Sequence, residues 1–556
     1  MTPFDSRAAP AEWNTALASN CFLYEALCDQ FEYQRLDDPE KVASGVAQLA
    51  NFAAGRHPGC FADGRVENRL LALADAVDRA ERIPLDSVLP GQPGRPRVLH
   101  VASQVFQAGG HTRMLAKWIE KDHASHHLVA LTEQPVPVPE ILLAACSKQG
   151  GQIFNLPREF SQMSRARALR ALAGEVDRVV LHHHCGDTVV VLALAAPLRS
   201  PVAYFNHAHF WFNLGPTVAD LTINTYPYFQ ALTERFRFPK ATALLPGIGC
   251  NRPFASFQKE QAKHALGLDP KLAVLVTSGW DYYYRPALGY DFFRTLQKIL
   301  EACGNIQVLA VGPSRNTAFI PPELTADPRV HLAGVVPDPV PYYQAADFCL
   351  ESFPRSSLGG FVEAAAYGGA FPIPIYGPHE NIFRLDSPPL CEVSPRPMDE
   401  AHYVQTVAAR VARLSESRAL AARLQGQLQA LDQQWPAILQ NVYAQLDACK
   451  HSPGPIPEAK FGQTEDNRLL AAHDPPDLWA ELHKRFPYGK ALKLNGVAIT
   501  KGLQPARRVL ARERRHACAA VKKAFEPVKK KYYRARIWAG AERRKLWRSA
   551  RALARR

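Results

Sequence analysis

The stretch that decides the fold runs from Leu350 to Tyr376 and reads LESFPRSSLGGFVEAAAYGGAFPIPIY. A short apolar strand, Phe348 to Leu350, leads into a Ser/Gly loop. The loop opens a helix, and Gly368 and Gly369 end that helix before a second apolar strand. This order is typical of a crossover unit in a parallel α/β sheet. The amides at the start of its helix are able to bind an anion.

The same segment contains candidate residues for binding a nucleotide diphosphate. Glu363 lies one turn into the helix, where its carboxylate could hold the two hydroxyls of a ribose. The alternative interpretation is a plain turn followed by a solvated carboxylate. The loop residues whose amides would meet the diphosphate are Ser356, Ser357, Leu358, Gly359 and Gly360.

Strands and helices alternate on the N-terminal side of this segment as well. Apolar strands are predicted at 97–103, 127–132, 178–182, 202–206, 272–279, 305–312 and 330–333. This alternation predicts an α/β protein with two Rossmann-like, doubly wound parallel sheets. Such sheets bind ligands at the carboxyl ends of their strands, so we expect a cleft between the two domains.

The remaining segments have other compositions. Apolar residues at three- and four-residue spacing predict helices before the first sheet and after the second, and PGQPGRP and HSPGPIP read as linkers. The predicted organisation is a helical N-terminal region (1–93), a first Rossmann-like domain (97–240), a second (241–398), closing helices (399–450), a linker (451–476) and a basic amphipathic tail (477–556).

Composition excludes several classes of protein. The chain has 556 residues, 47% of them hydrophobic, which is typical of a globular protein with several domains. No run of 18 apolar residues exists, and the first twenty residues lack the pattern of a secretory signal. The eleven cysteines form no CxxC pair, which favours buried thiols in a reducing cytoplasm over disulfides or zinc.

The positive charge is concentrated at the C-terminus. Residues 501–556 contain 20 Lys and Arg against 3 Glu, so their net charge is +17, whereas the whole chain carries +14. With its tryptophans and tyrosines, this tail favours contact with an anionic membrane surface. Nucleic-acid binding, which we consider the weaker alternative, and a solvated tail are left open. The predicted location is cytoplasmic, at the inner face of the cell membrane.

Histidines and glycines follow two strands of the first predicted domain. FNHAHFWF places His207 and His209 just after an apolar strand, where a histidine could accept a proton from a substrate hydroxyl. Asp187 follows another strand and is a weaker candidate base. Gly109 and Gly110 would let the backbone approach a phosphate at a helix start. The structural alternatives are core histidines and a tight turn.

HHHCGD (182–187) also raises the question of a metal site. Consecutive residues of a strand point to opposite faces, so these three histidines are poorly placed to chelate one ion. We therefore predict no metal, and we expect His184 or Asp187 to line the cleft.

The order of these motifs over residues 97–447 resembles the GT-B glycosyltransferases, and most of all the retaining enzymes of glycosyltransferase family four. HVASQVFQAGGHTR (100–113) resembles the first strand and glycine loop of their acceptor domain, and LLPGIGCNRPF (244–254) resembles the entry into their donor domain. VLVTSGWDYYYRPALGYDFF (274–293), VHLAGVVPDPVPYYQAADFCLESFP (330–354) and GFVEAAAYGGAFPI (360–373) resemble the successive donor-domain motifs.

The chain also departs from the family pattern. The first of two glutamates expected by the resemblance, eight residues before Glu363, is replaced by Arg355. Trp280 and Leu288 stand where the family often has Arg and Lys, and Arg285 could supply the missing cation, a role that Arg355 could also serve. The run FPRSSLGG is similar to the donor loop of O-linked N-acetylglucosamine transferases. Donor identity and the choice between retention and inversion therefore stay open.

The resemblance implies an enzyme that moves a hexose-like sugar from a nucleotide-diphosphate sugar to a glycan or lipid-linked acceptor, in cell-envelope polysaccharide or lipopolysaccharide synthesis. It also implies a histidine contacting the donor sugar at the strand end of His207 and His209. Helix amides and basic side chains can stabilise the leaving diphosphate, and no D-x-D motif is present, so we expect no metal and no cofactor. A protein-glycosylating transferase and a non-catalytic nucleotide-sugar-binding protein are the alternatives.

Overall fold

The computed structural model of the chain describes residues 11–33, 37–83, 94–107, 110–246, 259–286, 289–376 and 390–462. The predicted tail (477–556), most of the predicted linker and Gly109 lie outside these residues. Within them, no helix combines the length and the apolar character needed to cross a bilayer. The cysteines that the structure describes are all free thiols.

The first sheet has seven parallel strands. They are β1 (Arg97–Ala102), β2 (His126–Leu131), β3 (Gln152–Asn155), β4 (Arg178–His182), β5 (Val202–Phe205), β6 (Leu221–Asn224) and β7 (Thr242–Leu244). Their order is β3-β2-β1-β4-β5-β6-β7, so the direction in which successive strands are added to the sheet reverses between β1 and β4. Strands β3 and β6 were not predicted from the sequence. The predicted end of the first domain at residue 240 is wrong, because β7 pairs with β6 in this sheet.

Helices cover both faces of the first sheet. They are α5 (Gly110–Lys121), α6 (Glu140–Lys148), α7 (Gln162–Gly174), α8 (Thr188–Ala193) and α9 (Pro227–Phe236). The central strands are therefore buried on both sides, which explains why β1 and β4 read as nearly continuous apolar runs.

The second sheet has five parallel strands. They are β8 (Ala273–Ser278), β9 (Ile306–Val311), β10 (Val330–Gly334), β11 (Phe348–Leu350) and β12 (Phe371–Ile373). Their order is β10-β9-β8-β11-β12, so the direction in which successive strands are added reverses between β8 and β11. The helices of this domain are α10 (Lys259–Ala265), α11 (Phe292–Ala302), α12 (Pro322–Ala326), α13 (Val340–Ala345), α14 (Gly359–Gly368) and α15 (Leu390–Val393), together with a 3-10 turn at Asp281–Tyr284.

Among the residues described before the first sheet there are four helices: α1 (Ala11–Tyr33), α2 (Pro39–Gly55), α3 (Gly64–Leu71) and α4 (Ala74–Arg79). We call residues 11–83 the helical prefix. Its α3 is joined to the first domain by Glu67, which is fully buried and accepts hydrogen bonds from the amides of Gly215 (3.0 Å) and Thr217 (2.9 Å). The burial of this carboxyl raises its pKa to about 7.

Two closing helices follow the second sheet: α16 (Glu400–Ala412) and α17 (Leu414–Asp447). The start of α17 packs in the core of the second domain through Leu424 and Leu428, and its end packs in the first domain through Trp435 and Leu439. This one helix therefore connects the two domains.

Residues 451–462 do not form the linker that the Pro- and Gly-rich sequence predicted. His451 contacts Asp220 (2.9 Å), and the amide of Ile456 donates to Asn68 of the helical prefix (2.9 Å). The amide of Gly64 in turn donates to the carbonyl of Pro457 (2.9 Å). A prolyl segment without regular structure packs here because neighbouring side chains and amides satisfy its backbone.

The predicted α/β class is confirmed. Two doubly wound parallel sheets, flanked by helices, present the carboxyl ends of their strands to a shared cleft.

Candidate active site

A cavity of about 590 Å³ lies between the two sheets. It receives residues from the switch point of each sheet, where α5 follows β1 and where α14 follows β11. Such switch points are the usual ligand positions in open α/β folds. We call the side formed by the first domain the histidine wall and the side formed by the second domain the amide wall.

The amide wall is built on the loop 352–358. The Oγ of Ser352 accepts from the amide of Ser357 (2.8 Å), and the Oγ of Ser356 accepts from the amide of Leu358 (3.0 Å). These two amides are therefore already engaged inside the loop, contrary to the expectation that both would face a diphosphate. The amides of Gly359 and Gly360 begin α14, where no helical carbonyl precedes them. Both glycines line the cavity.

The turn into α14 has an unusual backbone. Leu358 has φ 49° and ψ −76°, which a residue with a Cβ rarely adopts. Gly360 lies against Ser278 at the end of β8, and a Cβ on Gly360 would come within 3.2 Å of the Cβ of Ser278. Close packing of this kind fixes where the first amides of α14 point.

Glu363 lies in α14 and lines the cavity, as the ribose hypothesis requires. It is 3% exposed and pairs with Arg113 of α5, on the opposite wall, at 3.0 Å. Burial raises the pKa of the Glu363 carboxyl, although the guanidinium of Arg113 acts in the opposite direction. A ribose would have to share or replace this interaction.

Cations and aromatic rings complete the amide wall. Arg285 and Arg355 both line the cavity, and the amide of Arg355 donates to the carbonyl of Tyr283 (3.2 Å). Trp280, which is 42% exposed, lines the cavity at the position where the resemblance expects a cation. Arg285, which the sequence suggested as a substitute for that cation, lines the same wall.

The histidine wall is formed by the loop after β5. His207 and His209 line the cavity, as the sequence predicted. The ring of His209 stacks on Phe229 (3.9 Å between centroids), and its Nε2 lies 3.2 Å from the Thr225 Oγ1. Burial, helped by the charge of Arg237, lowers the pKa of His209 to about 3.

Asp187 and His184 do not line the cleft, which corrects the sequence-based expectation. Asp187 is 2% exposed and caps α8 by accepting from the amide of Val189 (3.0 Å). It also accepts from the Ser103 hydroxyl (2.6 Å). Both carboxylate oxygens of Asp187 are therefore engaged in hydrogen bonds that stabilise the loop before α8. His184 stacks on Phe106 instead, with 6.1 Å between ring centroids.

Several polar residues that line the cleft were not predicted from the sequence. Arg113 and Ser278 line it from α5 and β8, and Arg56 and His57 line it from the end of α2. Only the position of Arg113, three residues after the predicted glycine pair, gave any signal. The prefix residues gave none, because nothing local shows which surface a helix will cover.

Arg237 was missed as well, although it shapes the histidine wall. It is 2% exposed and donates to the carbonyls of Ala208 (3.0 Å), His209 (3.0 Å) and Trp211 (2.7 Å). A guanidinium has five donors, so a single buried arginine can hold a whole loop in one conformation.

His111, His182 and His207 bring three ring nitrogens within 4.8 Å of one another. The Nδ1 of His182 and the Nε2 of His207 are 2.9 Å apart, which is a hydrogen-bond distance. Two nitrogens bound to one tetrahedral zinc ion would lie about 3.3 Å apart. The His111 Nε2 is also occupied, since it donates to the His182 carbonyl (2.5 Å). This arrangement suits hydrogen bonding better than chelation.

No family model matches this chain, and no curated protein matches its sequence. Among solved structures, it is similar to an O-GlcNAc transferase of Thermobaculum terrenum, with a TM-score of 0.45 and 15% identity over 79% of this chain and 84% of that one. It is also similar to HepE of Anabaena, solved with UDP and glucose (TM-score 0.46, 13% identity, 64% of this chain and 100% of that one).

A glycosyltransferase of Rickettsia africae gives a TM-score of 0.47 at 11% identity, over 63% of this chain and 98% of that one. Similarities of this strength carry no information about substrate or activity. The chain's own topology, two doubly wound sheets facing one cleft and connected by α17, is that of the GT-B fold. Membership of family four stays a prediction.

Proposed function

We propose that this chain is a metal-independent glycosyltransferase that uses a nucleotide-diphosphate sugar. The observation that carries the proposal is the composition of the amide wall. The free start of α14, Arg285 and Arg355 all line one cavity, and Glu363 follows one turn into the helix. Helix amides and guanidinium groups stabilise the charge of a departing diphosphate.

The cavity has room for such a donor. Its volume of about 590 Å³ falls within the 300–1,000 Å³ that is typical of ligand pockets. With the diphosphate at the amide wall, the sugar would extend towards His207 on the histidine wall. An acceptor hydroxyl would then approach beside Arg56 and His57 of the helical prefix, which line the same cavity.

The donor can be tested by calorimetry with UDP-glucose, UDP-N-acetylglucosamine and the corresponding guanosine and cytidine sugars, followed by an assay of released nucleotide. Glu363→Ala and Arg285→Ala should each lower turnover of the active donor about 100-fold, or about 2.7 kcal/mol, which is the size of one hydrogen bond to a charged group. Arg294→Ala is the matched control, because the Arg294 side chain is 76% exposed on α11. Full turnover in both cleft variants would refute the site assignment.

For the acceptor, we propose a glycan or a lipid-linked sugar of the cell envelope, with residues 501–556 on an anionic membrane. Their net charge of +17 supports this part of the proposal. Deletion of 501–556 should release the protein from phosphatidylserine vesicles without changing donor turnover. If the deletion instead abolishes retention on nucleic acid, the tail is a nucleic-acid-binding segment.

The contact of the helical prefix with the cleft also keeps a protein acceptor as a second candidate, since prefix residues line the site where an acceptor would bind. Transfer to a peptide, but to no glycan, would favour it. A non-catalytic binding protein is supported by Arg355, which replaces an expected carboxylate. Nucleotide-sugar binding without any turnover would select that alternative.

A further inference from the structure

A continuous row of hydrogen-bonded imidazoles connects the cleft to a buried carboxylate. The Nε2 of His207 lies 2.9 Å from the Nδ1 of His182, and the Nε2 of His182 lies 3.1 Å from the Nδ1 of His100. The Nε2 of His100 lies 3.0 Å from the Nδ1 of His127. The Nε2 of His127 reaches the backbone carbonyl of Asp122 at 3.1 Å and its carboxylate at 3.4 Å. We call these four histidines the histidine row.

The end of the row at Asp122 fixes the tautomer of every neutral ring in it. A carbonyl oxygen only accepts, so the Nε2 of His127 must carry the hydrogen and its Nδ1 must accept. His100 must then donate from Nε2, and so must His182 and His207. The cleft end is left with the lone pair of the His207 Nδ1. Among the residues that the structure describes, none hydrogen-bonds this nitrogen.

The surroundings keep the row neutral. Burial lowers the pKa of all four imidazoles, and the neighbouring rings lower it further. The ionisable neighbours are His111, His184 and His209 at His207, His111 and His183 at His182, and Asp122, His126 and Arg95 at His127. Of these, only Asp122 is a carboxylate, and it lies at the far end of the row from the cleft.

Asp122 is itself held in place. It is 1% exposed, and its Oδ2 accepts from the hydroxyl of Tyr443 in α17 (2.8 Å), while its Oδ1 accepts from the amide of Ala124 (3.1 Å). The indole of Trp118 donates to the same Tyr443 hydroxyl (2.7 Å). A buried carboxylate with ordered donors is a fixed negative charge at the inner end of the row.

We propose that His207 is the general base of sugar transfer, and that the histidine row carries the proton it accepts inward to rest beside Asp122. This inference rests on the proposed transferase function and assigns the group that activates the acceptor. His207 is the catalytic residue, and His182, His100, His127 and Asp122 are positioning residues.

The step balances in atoms and charge. The acceptor oxygen forms a bond to the anomeric carbon, and the bond from that carbon to the diphosphate breaks, with its electron pair leaving on the diphosphate. The hydroxyl proton goes to the His207 Nδ1. Each ring passes its Nε2 proton to the Nδ1 of the next, so the positive charge ends on His127 beside the Asp122 carboxylate. The proton returns by the same route after the product leaves.

The tautomers can be measured without any turnover. Nitrogen-15 spectra of the full chain, labelled at its 19 histidines, should show the four row members as neutral Nε2–H tautomers at neutral pH. Assignments follow from the loss of single signals in His→Gln variants. An Nδ1–H tautomer or a charged ring at any of the four positions would overturn the proposal.

The relay is tested by keeping its hydrogen bonds and removing its proton transfer. In His100→Gln, the amide oxygen and nitrogen can replace the two ring nitrogens, but an amide does not carry a proton onward. With the active donor and acceptor, we expect kcat to fall about tenfold while the donor KM stays within about threefold. The acidic limb of the pH profile should move to lower pH, because His207 loses the stabilisation of its charged form by Asp122.

The comparison variants set the scale. His207→Gln should lower kcat by about 10²- to 10⁴-fold, as expected for a lost general base. His183→Gln is the matched control: His183 is equally buried and adjacent to His182, but its Nε2 contacts the carbonyl of Leu214 (2.7 Å), outside the row. An unchanged acidic limb in His100→Gln, or the same shift in His183→Gln, would refute the relay.

The outcomes also separate this inference from the transferase proposal. If no nucleotide sugar binds or reacts, the proposed function fails, and with it the base role of His207, while the spectra still decide whether the ordered row exists. If transfer is normal in His207→Gln, the transferase proposal stands and the base assignment is wrong.

Discussion

The two walls of the cleft are built in different ways. The centre of the amide wall comes from one short segment, in which a strand, the loop 352–358 and the start of α14 follow one another in sequence; Arg285 and Trp280 complete the wall from the segment after β8. The histidine wall joins residues that are far apart: the row runs from His207 back to His127, and the loop 207–211 is held by Arg237. A local segment can be recognised from its letters, whereas a wall assembled from distant segments cannot.

The largest expected effect breaks the amide wall. Gly312 lines the cavity at the end of β9 with φ 113°, and a Cβ added there would lie 1.8 Å from the carbonyl oxygen of Gly279. It would also lie 2.8 Å from the carbonyl carbon of Gly279, and these two backbone atoms cannot move aside without shifting the chain. We expect Gly312→Ala to lower the free energy of unfolding by at least about 4 kcal/mol, measured by urea unfolding.

Gly304→Ala is the control for this substitution, since Gly304 has no atom within 4 Å of an added Cβ. It should change stability by no more than about 0.5 kcal/mol. Equal stability of the two variants would show that the carboxyl ends of β8 and β9 are not packed as closely as the structure shows.

The second prediction concerns the support of the histidine wall. Glu67 of the prefix is fully buried, and its pKa is raised from 4.5 to about 7. Its protonated form is therefore favoured by folding. The stability that it contributes is fully present below pH 4.5 and is lost as the pH rises through 7. Between pH 4.5 and 8 this loss should be about 3 kcal/mol.

Glu67→Gln removes this titration. The difference in unfolding free energy between the wild type and the variant should change by about 3 kcal/mol over that pH range, in favour of the variant at high pH. Parallel stability curves for the two proteins would contradict the buried position of Glu67, and with it the docking of the prefix behind the histidine wall.

Much of the fold, but only part of the cleft, could be predicted from the sequence. The strands β1, β2, β4, β5 and β8–β12, the loop before α14, Glu363 and His207 all lie where apolar runs and turn residues predicted them. Three strands of the first sheet, β3, β6 and β7, were missed or assigned elsewhere. Glu67, Arg113 and Arg237 look like surface residues in the sequence, and only tertiary packing buries them.

The role of Asp187 was misjudged for a related reason. A carboxylate after a strand can face a cleft or cap the next helix, and both fit the same letters. The four histidines of the row lie on three strands and one loop, so their alignment requires the strand order β2-β1-β4-β5. That order depends on the whole sheet and on no local motif.

The third prediction tests the ion pair that joins the walls. The side chains of Arg113 and Glu363 are 16% and 4% exposed, and they meet at 3.0 Å. Arg113→Met should cost about 3 kcal/mol, because it leaves a buried carboxylate without its main cation. Glu363→Gln in the same protein should recover part of that loss, so a double-mutant cycle should give a coupling above about 1 kcal/mol.

The pair formed by Arg294 of α11 and Asp291, the N-cap residue of that helix, provides the reference cycle, because its side chains are 76% and 25% exposed. Its coupling should be below about 0.5 kcal/mol, as is usual for surface pairs. A coupling for Arg113 and Glu363 as small as this reference would mean that the two walls do not approach each other as closely as the structure shows.

The smallest expected effect sharpens the comparison by changing the shape of the loop alone. The Ser352 hydroxyl donates to the carbonyl of Arg355 (2.8 Å) and accepts from the amide of Ser357 (2.8 Å). Ser352→Ala should therefore cost about 1 kcal/mol of stability. It should also weaken UDP binding about fivefold in calorimetry, because the start of α14 is no longer held in place.

Ser417→Ala is the control. It removes another buried hydroxyl, which donates to the carbonyl of Arg410 in the closing helices (3.0 Å). Ser417→Ala should lower stability by a similar amount and leave the affinity for UDP unchanged. If Ser352→Ala and Ser417→Ala bind UDP equally well, the loop 352–358 does not shape the nucleotide site.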